Sequence, residues 1–299
     1  MAKEESSICV YTMTHGPSCD IRPEYCTPLE LGAAVRTDFL YDLHDDMGND
    51  HISQKDKLYC ELTGLYWLWK NDTHEITGLT HYRRQFPIKL NHIENVLKTH
   101  EIILPFKVRM PADLKTQYLL TQPEDDWKIM CDVLKDMYPD YYKSAIKIFH
   151  RKCLIPYNMF ISTHEIIDKY CEWLFPLLFK IEEKLDFTDR TEYQKRACGF
   201  MGELFLTLYV IHNDLKIKHI PISFMSENRC DNTTIINLLS SANCLTYKKW
   251  KKETKSLATE RITGNRDDST MKKIAINTYN RSDKIFYILG KLYCRYYSY

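Results

Sequence analysis

The stretch ITGLTHYRRQFPI, residues 76–88, decides how the rest of the chain is read. Ile76 to Thr80 form a β-branched, apolar run of strand character that ends abruptly in His81, Tyr82, Arg83 and Arg84, with Pro87 close behind. Ligands of α/β proteins sit at the C-terminal ends of strands, so two guanidinium forks and an imidazole there suit a phosphorylated or nucleotide ligand. A plainer account fits the same residues: one arginine pairs with an acidic neighbour and His81 caps the strand.

Working outward, strand-like runs at 7–13 and 101–105 flank this one, and DKLYCELTGLYWLWKN (56–71) carries Leu58, Leu62, Leu65 and Trp69 at helical spacing. Strand and helix patterns in alternation predict an α/β fold with a mostly parallel, Rossmann-type sheet flanked by helices. Further helices are expected over 124–142 and 144–152, and a strand with an internal proline over CLIPYNMFIS (153–162). Ser162 to Glu165 has the spacing of a capping box. It precedes a long helix with Ile166, Tyr170, Leu174, Leu177, Ile181 and Leu185 on one side, which Pro176 is expected to kink or split. A helix over 193–212 and a strand over 216–222 complete a domain spanning 1–245.

Beyond it, residues 246–299 hold nine Lys and four Arg against five Asp or Glu, a net of +8, which leaves −7 on residues 1–245. Ile285, Leu289, Leu292 and Tyr296 share one helical face and Lys284, Lys291 and Arg295 another. A helical C-terminal tail of this kind suits an anionic membrane surface, and it equally suits docking on the body of the protein.

Composition excludes several classes. Of 299 residues 44% are hydrophobic and 27% charged, and no segment approaches the roughly 18–20 apolar residues of a membrane span. The first residues, MAKEESSICVYTMTH, lack the layout of a secretory signal, so a cytoplasmic location is expected. The eleven cysteines contain no CxxC pair, which suggests buried free thiols rather than a zinc site or a disulfide framework. Neither GxGxxG nor GxxxxGK[ST] occurs, and GxSxG and HExxH are also missing, so dinucleotide enzymes, P-loop NTPases, serine hydrolases and zinc proteases lose their usual handles.

Three further clusters can carry chemistry. Asp45, Asp46 and Asp50 surround a glycine and suit either a divalent cation or ribose hydroxyls, or simply a solvated loop. Asn158 is polar within an apolar run, facing a cleft or satisfying backbone. Gly199 and Gly202 cost a helix up to about 1 kcal/mol each relative to alanine, so close approach is expected there, and Glu203 just beyond them is a candidate base.

Taken together, LYCELTGLYWLWKN, GLTHYRRQF, YNMFIS, YCEWLFPLLFKIEE and YQKRACGFMGELF resemble successive blocks of the domain-of-unknown-function 4422 family, over about residues 7–222. Its members belong to bacterial capsule, O-antigen and exopolysaccharide gene clusters and are regarded as GT-A type glycosyltransferases, some of them galactofuranosyltransferases. The resemblance implies a GT-A-like nucleotide-binding sheet and a UDP-sugar donor. It also implies a hexosyl transfer to a glycan or lipid-linked glycan acceptor. By position it implies donor contacts from Thr14, His15, Asp50, Ser53, Glu61, His81, Tyr82, Arg83, Arg84, Asn158, Arg196, Gly199 and Phe200.

The chain departs from the family pattern at Leu204, where arginine is usual, at Gln85, where tyrosine is usual, and after His15, where lysine is usual.

Many GT-A enzymes neutralise the departing diphosphate with a metal held by a DxD motif; here the comparable strand end reads THYRR. Arginines and a histidine there can stabilise the leaving group directly, and the mechanism expected is an inverting transfer with Glu203 as general base and Arg83, Arg84 and His81 on the donor phosphates. No cofactor is required in this reading, although Mn²⁺ or Mg²⁺ remains open. The location expected is the cytoplasm, with peripheral attachment at the inner face of the cytoplasmic membrane if the tail binds lipid. The rival reading is a noncatalytic interaction protein that docks through its basic tail on a membrane or on nucleic acid, and the acidic body disfavours nucleic acid.

Overall fold

The computed structural model describes residues 7–15, 25–48, 50–226 and 229–230, the last six of these as backbone. The domain boundary expected near 230–245 and the amphipathic tail helix lie outside the described residues.

Eleven strands are described: β1 (Ile8–Thr14), β2 (Cys26–Glu30), β3 (Ile76–His81), β4 (Arg84–Gln85), β5 (Ile102–Pro105), β6 (Val108–Arg109), β7 (Cys153–Leu154), β8 (Phe160–Thr163), β9 (Ile217–Ile220), β10 (Ser223–Ser226) and β11 (Arg229–Cys230). The helices are α1 (Asp56–Tyr59), α2 (Leu62–Asn71), α3 (Leu90–Leu97), α4 (Leu114–Leu119), α5 (Glu124–Met137), α6 (Pro139–Ile148), α7 (His164–Glu182) and α8 (Ala197–His212). Among the described residues no helix is long and apolar enough to cross a membrane.

Within a nine-stranded sheet the main strands run β2-β1-β3-β8-β5-β9, and β8 alone among these six is antiparallel to its neighbours; β4, β10 and β11 continue the sheet from β3 by antiparallel pairs. This is the mostly parallel α/β architecture expected from the sequence. Every residue of β1 is buried, as a parallel strand covered on both faces requires. Cys9, Tyr11 and Met13 face the larger core, built with α2 and α5 to α8, while Ile8 and Val10 face a smaller one closed by Ile93 and Val96 of α3. Gly78 of β3 is where the backbones crowd: a Cβ there would lie 2.2 Å from the carbonyl oxygen of Phe160 in β8.

Several expected elements differ in detail. The helix read over 56–71 is broken between α1 and α2 at Cys60, whose φ of 52° no right-handed helix accommodates. Helix 124–142 ends at Met137, because Pro139 starts α6 and cannot continue α5. The run 153–162 is two strands, separated by a turn in which Tyr157 and Asn158 both take left-handed φ. Helix α7 has Thr163 at its N-cap with no side-chain cap bond, so the capping box at Ser162 is not formed; Ser162 Oγ donates instead to the carbonyl of Glu101. Pro176 sits on an exposed face, and α7 runs through it unbroken.

Candidate active site

Strands β1 and β3 lie side by side and parallel, so their C-terminal ends, Thr14 and His81, open on the same edge of the sheet. The HYRR stretch is a hairpin rather than a plain strand end. His81 pairs with Arg84, Tyr82 and Arg83 form the turn, and β4 goes on to pair with β10. This throws both arginines over the sheet edge. There a cleft of about 770 Å³ is lined by His15 after β1, by His81, Tyr82, Arg83 and Arg84, and by Arg196, Phe200 and Glu203 at the start of α8. Asp56 and Glu61 line it from α1 and its end.

The interior of the cleft is tied together by one turn. The Tyr157 N–H donates to Glu203 Oε1 at 2.7 Å, and its carbonyl accepts from His81 Nε2 at 2.7 Å, which fixes the proton of His81 on that nitrogen. The Tyr157 ring lies under the Arg84 guanidinium at 4.2 Å. Next along the chain, Asn158 is buried, and its amide donates to Glu61 Oε1 at 2.7 Å and to the Gly199 carbonyl at 3.2 Å. A left-handed φ of 74° is costly for tyrosine, of order 1–3 kcal/mol, and these contacts hold it in place.

Burial raises the Glu203 carboxyl to about 7, and the nearby Glu61 adds to this against the Tyr157 N–H, Arg84 and Arg196. Burial also raises Asp56 to about 7, with Asp45 and Glu61 reinforcing it. Burial lowers His81; Glu61 opposes that shift and Arg84 assists it. His81 is therefore a neutral imidazole at pH 7, while Arg83, Arg84 and Arg196 are cations on the same cleft.

The close approach expected at the two glycines of α8 is present. A Cβ on Gly199 would lie 3.0 Å from Cys60 Sγ, and one on Gly202 would lie 2.8 Å from Leu62 Cδ1 and 3.2 Å from the Asn158 amide. Arg196 donates from Nε to Cys60 Sγ at 3.1 Å, across the same crossing. The loop before α8, which brings Glu192 and Tyr193 to the cleft, is anchored by Arg190. Its guanidinium grips Asp126 of α5 with two bonds of 2.6 and 2.7 Å at side-chain exposures of 5% and 1%.

Of the residues expected at the site, His15, Glu61, His81, Tyr82, Arg83, Arg84, Arg196, Phe200 and Glu203 line this one cleft. Thr14, Asn158 and Gly199 lie behind it, buried. Ser53 is also buried: its hydroxyl donates to Asp45 and accepts from the Ala34 N–H, so it serves the loop. Asp50 lies apart, accepting from the hydroxyl of Tyr66. Asp45 accepts from the N–H groups of Gly32 and Ala33 and from the Ser53 hydroxyl. Among the described residues no group of three or more His, Cys, Asp or Glu is placed to hold a metal ion.

Sequence reasoning missed Asp56, Cys60 and Tyr193 in the lining and the linking role of Tyr157. An acid in the first turn of a helix is ordinary, and only Pro156-Tyr157-Asn158 carried a turn signal.

A second cavity of about 240 Å³ shares Tyr193, Phe200 and Glu203 with the cleft and extends between α8 and α4. Leu204 lines it, at the position where the sequence departs from the family pattern.

Comparison with solved structures returns the apo structure of WbbM, described as a bifunctional glycosyltransferase, with a TM-score of 0.67 and 25% sequence identity over 74% of this chain. The match spans 46% of the WbbM chain, so this chain corresponds to about half of that protein. No curated protein matches the sequence. The family model described as domain of unknown function DUF4422 matches residues 9–214, which include every cleft residue named above, and the chain belongs to the DUF4422 family.

Proposed function

We propose that this protein is a glycosyltransferase that moves a hexose, with galactofuranose among the candidates, from a UDP-sugar to a growing capsular or surface polysaccharide with inversion. One observation carries the reading. A carboxyl raised to about 7 and three guanidinium groups meet in a single cleft at the C-terminal edge of parallel strands. The likeness to a glycosyltransferase at 25% identity supports it.

In the transfer, the acceptor hydroxyl oxygen bonds to the anomeric carbon as its proton passes to the Glu203 carboxylate. The bond from that carbon to the diphosphate oxygen breaks, and its electron pair leaves with UDP. A base poised near the working pH is half ionised yet still basic enough to take the proton. Arg83, Arg84 and Arg196 stabilise the charge that develops on the diphosphate, the work that an ion does in metal-dependent relatives. His81 donates to Tyr157 and positions the turn that holds Glu203.

The test is hydrolysis and transfer by the whole chain across a panel of UDP-sugars that includes UDP-galactofuranose, with and without EDTA. Turnover of one donor that survives EDTA is expected, and complete loss restored by Mn²⁺ would overturn the metal-free mechanism. Glu203→Gln is expected to lower kcat by at least about a hundredfold with folding intact; near-normal turnover discards the base. A chain that binds no UDP-sugar at millimolar concentration favours the noncatalytic reading instead.

A further inference from the structure

We propose that the second cavity is the subsite for the terminal sugar ring of the acceptor, and that it takes a single uncharged ring; the assignment rests on the transferase reading above. The two cavities differ in charge. Arg83, Arg84, Arg196 and Lys57 line the cleft beside Asp56, Glu61, Glu192 and Glu203, whereas among the described residues no Lys, Arg or His lines the second cavity and Glu203 is its one charged group. An acidic sugar or a phosphate there would meet that carboxylate with no cation on the same lining among the described residues.

Position gives the same answer. Glu203 lines both cavities, and a base that takes a proton from the acceptor while the donor sits in the cleft must touch both ligands. Size sets the class: about 240 Å³ is below the roughly 300–1,000 Å³ of pockets for drug-sized ligands, which limits the occupant to one ring. Phe200 and Tyr193, with ring centroids 4.9 Å apart, form an aromatic wall shared with the cleft, and Leu204 adds an aliphatic one. Such walls pack against the C–H face of a sugar.

Tyr118 adds a further aromatic side chain to the lining at 6% exposure, with its hydroxyl buried and without a hydrogen-bond partner among the described residues. Gln117 and Thr121 provide further polar groups on the same lining.

The experiment uses the full chain with a panel of neutral methyl hexopyranosides, and methyl glucuronide as the acidic control, read by saturation-transfer NMR. UDP affinity is measured in the same samples. Neutral glycosides are expected to bind in the millimolar range and the glucuronide at least about tenfold more weakly. Thr121→Trp, which fills the cavity from an exposed position, is expected to weaken the glycosides by at least about tenfold, with UDP affinity retained. Failure of every neutral glycoside to bind, equal binding of the glucuronide, or unchanged binding by Thr121→Trp overturns the subsite. Absence of UDP binding by the unaltered chain overturns the donor reading instead, whatever the glycosides do.

Discussion

Asn158 and Glu203 are coupled through a single residue, Tyr157, whose N–H holds the carboxylate while the next side chain holds Glu61. Asn158→Ala removes both amide bonds and leaves the buried Gly199 carbonyl without that donor. A loss of about 1–3 kcal/mol is expected, read as a lower urea midpoint at unchanged slope. Asn158→Asp should be worse, since a second carboxylate would face Glu61. The titration of Glu203 gives a prediction with a definite sign. A base must be deprotonated, so kcat/KM is expected to rise with pH through about 7, and that limb should disappear in Glu203→Gln. Stability runs the other way. Glu203 and Asp56 keep in the folded state a proton that the unfolded chain releases near 4.5 and 3.8, so their contribution is complete below those values and is lost as pH rises through about 7. Thermal melts between pH 5 and 8 check this: the Tm should fall across that window, and less steeply in Glu203→Gln.

At the scale of elements, the cleft exists because α8 crosses the α1–α2 break at backbone-to-side-chain range. Its two glycines were legible as a demand for close approach, and the partners, Cys60, Leu62 and Asn158, were not, because the contacts join residues far apart in sequence. For the same reason the alternation of strands and helices revealed a largely parallel sheet but not the reversed direction of β8, which no local pattern encodes. The HYRR hairpin was hidden too: Tyr82 and Arg83 lack the Asn-Gly signature of a tight turn, so the arginines looked like a strand terminus. Gly202→Ala tests the crossing. Alanine gains up to about 1 kcal/mol of helix propensity, yet its Cβ would press on Leu62 and on an Asn158 amide already committed to Glu61. Overpacking of this kind costs about 1–3 kcal/mol, so a net fall in the urea midpoint is expected, with weaker UDP binding as Glu61 is displaced.

Across the whole molecule, charge is divided between a body of −7 and the residues beyond 245, which carry +8. The cleft draws its cations from the hairpin, the start of α8 and Lys57 of α1, within an otherwise acidic domain, so the proposed diphosphate would be attracted locally rather than by the net field of the body. The basic segment is then free to serve a different partner. Near an anionic leaflet each Lys or Arg contributes about 1 kcal/mol, and thirteen of them outweigh five acids even where salt screens beyond about 8 Å. If the acceptor of the proposed transfer is lipid-linked, that attraction would hold the protein where the acceptor is anchored. Deleting residues 246–299 is therefore expected to abolish sedimentation with phosphatidylglycerol vesicles while UDP affinity stays within about twofold. Raising salt from 0.05 to 0.5 M should release the intact chain in the same way, since an electrostatic contact weakens with screening and one made by apolar insertion does not. Vesicle binding that survives the deletion would remove the segment from membrane attachment and leave docking on the body as its role.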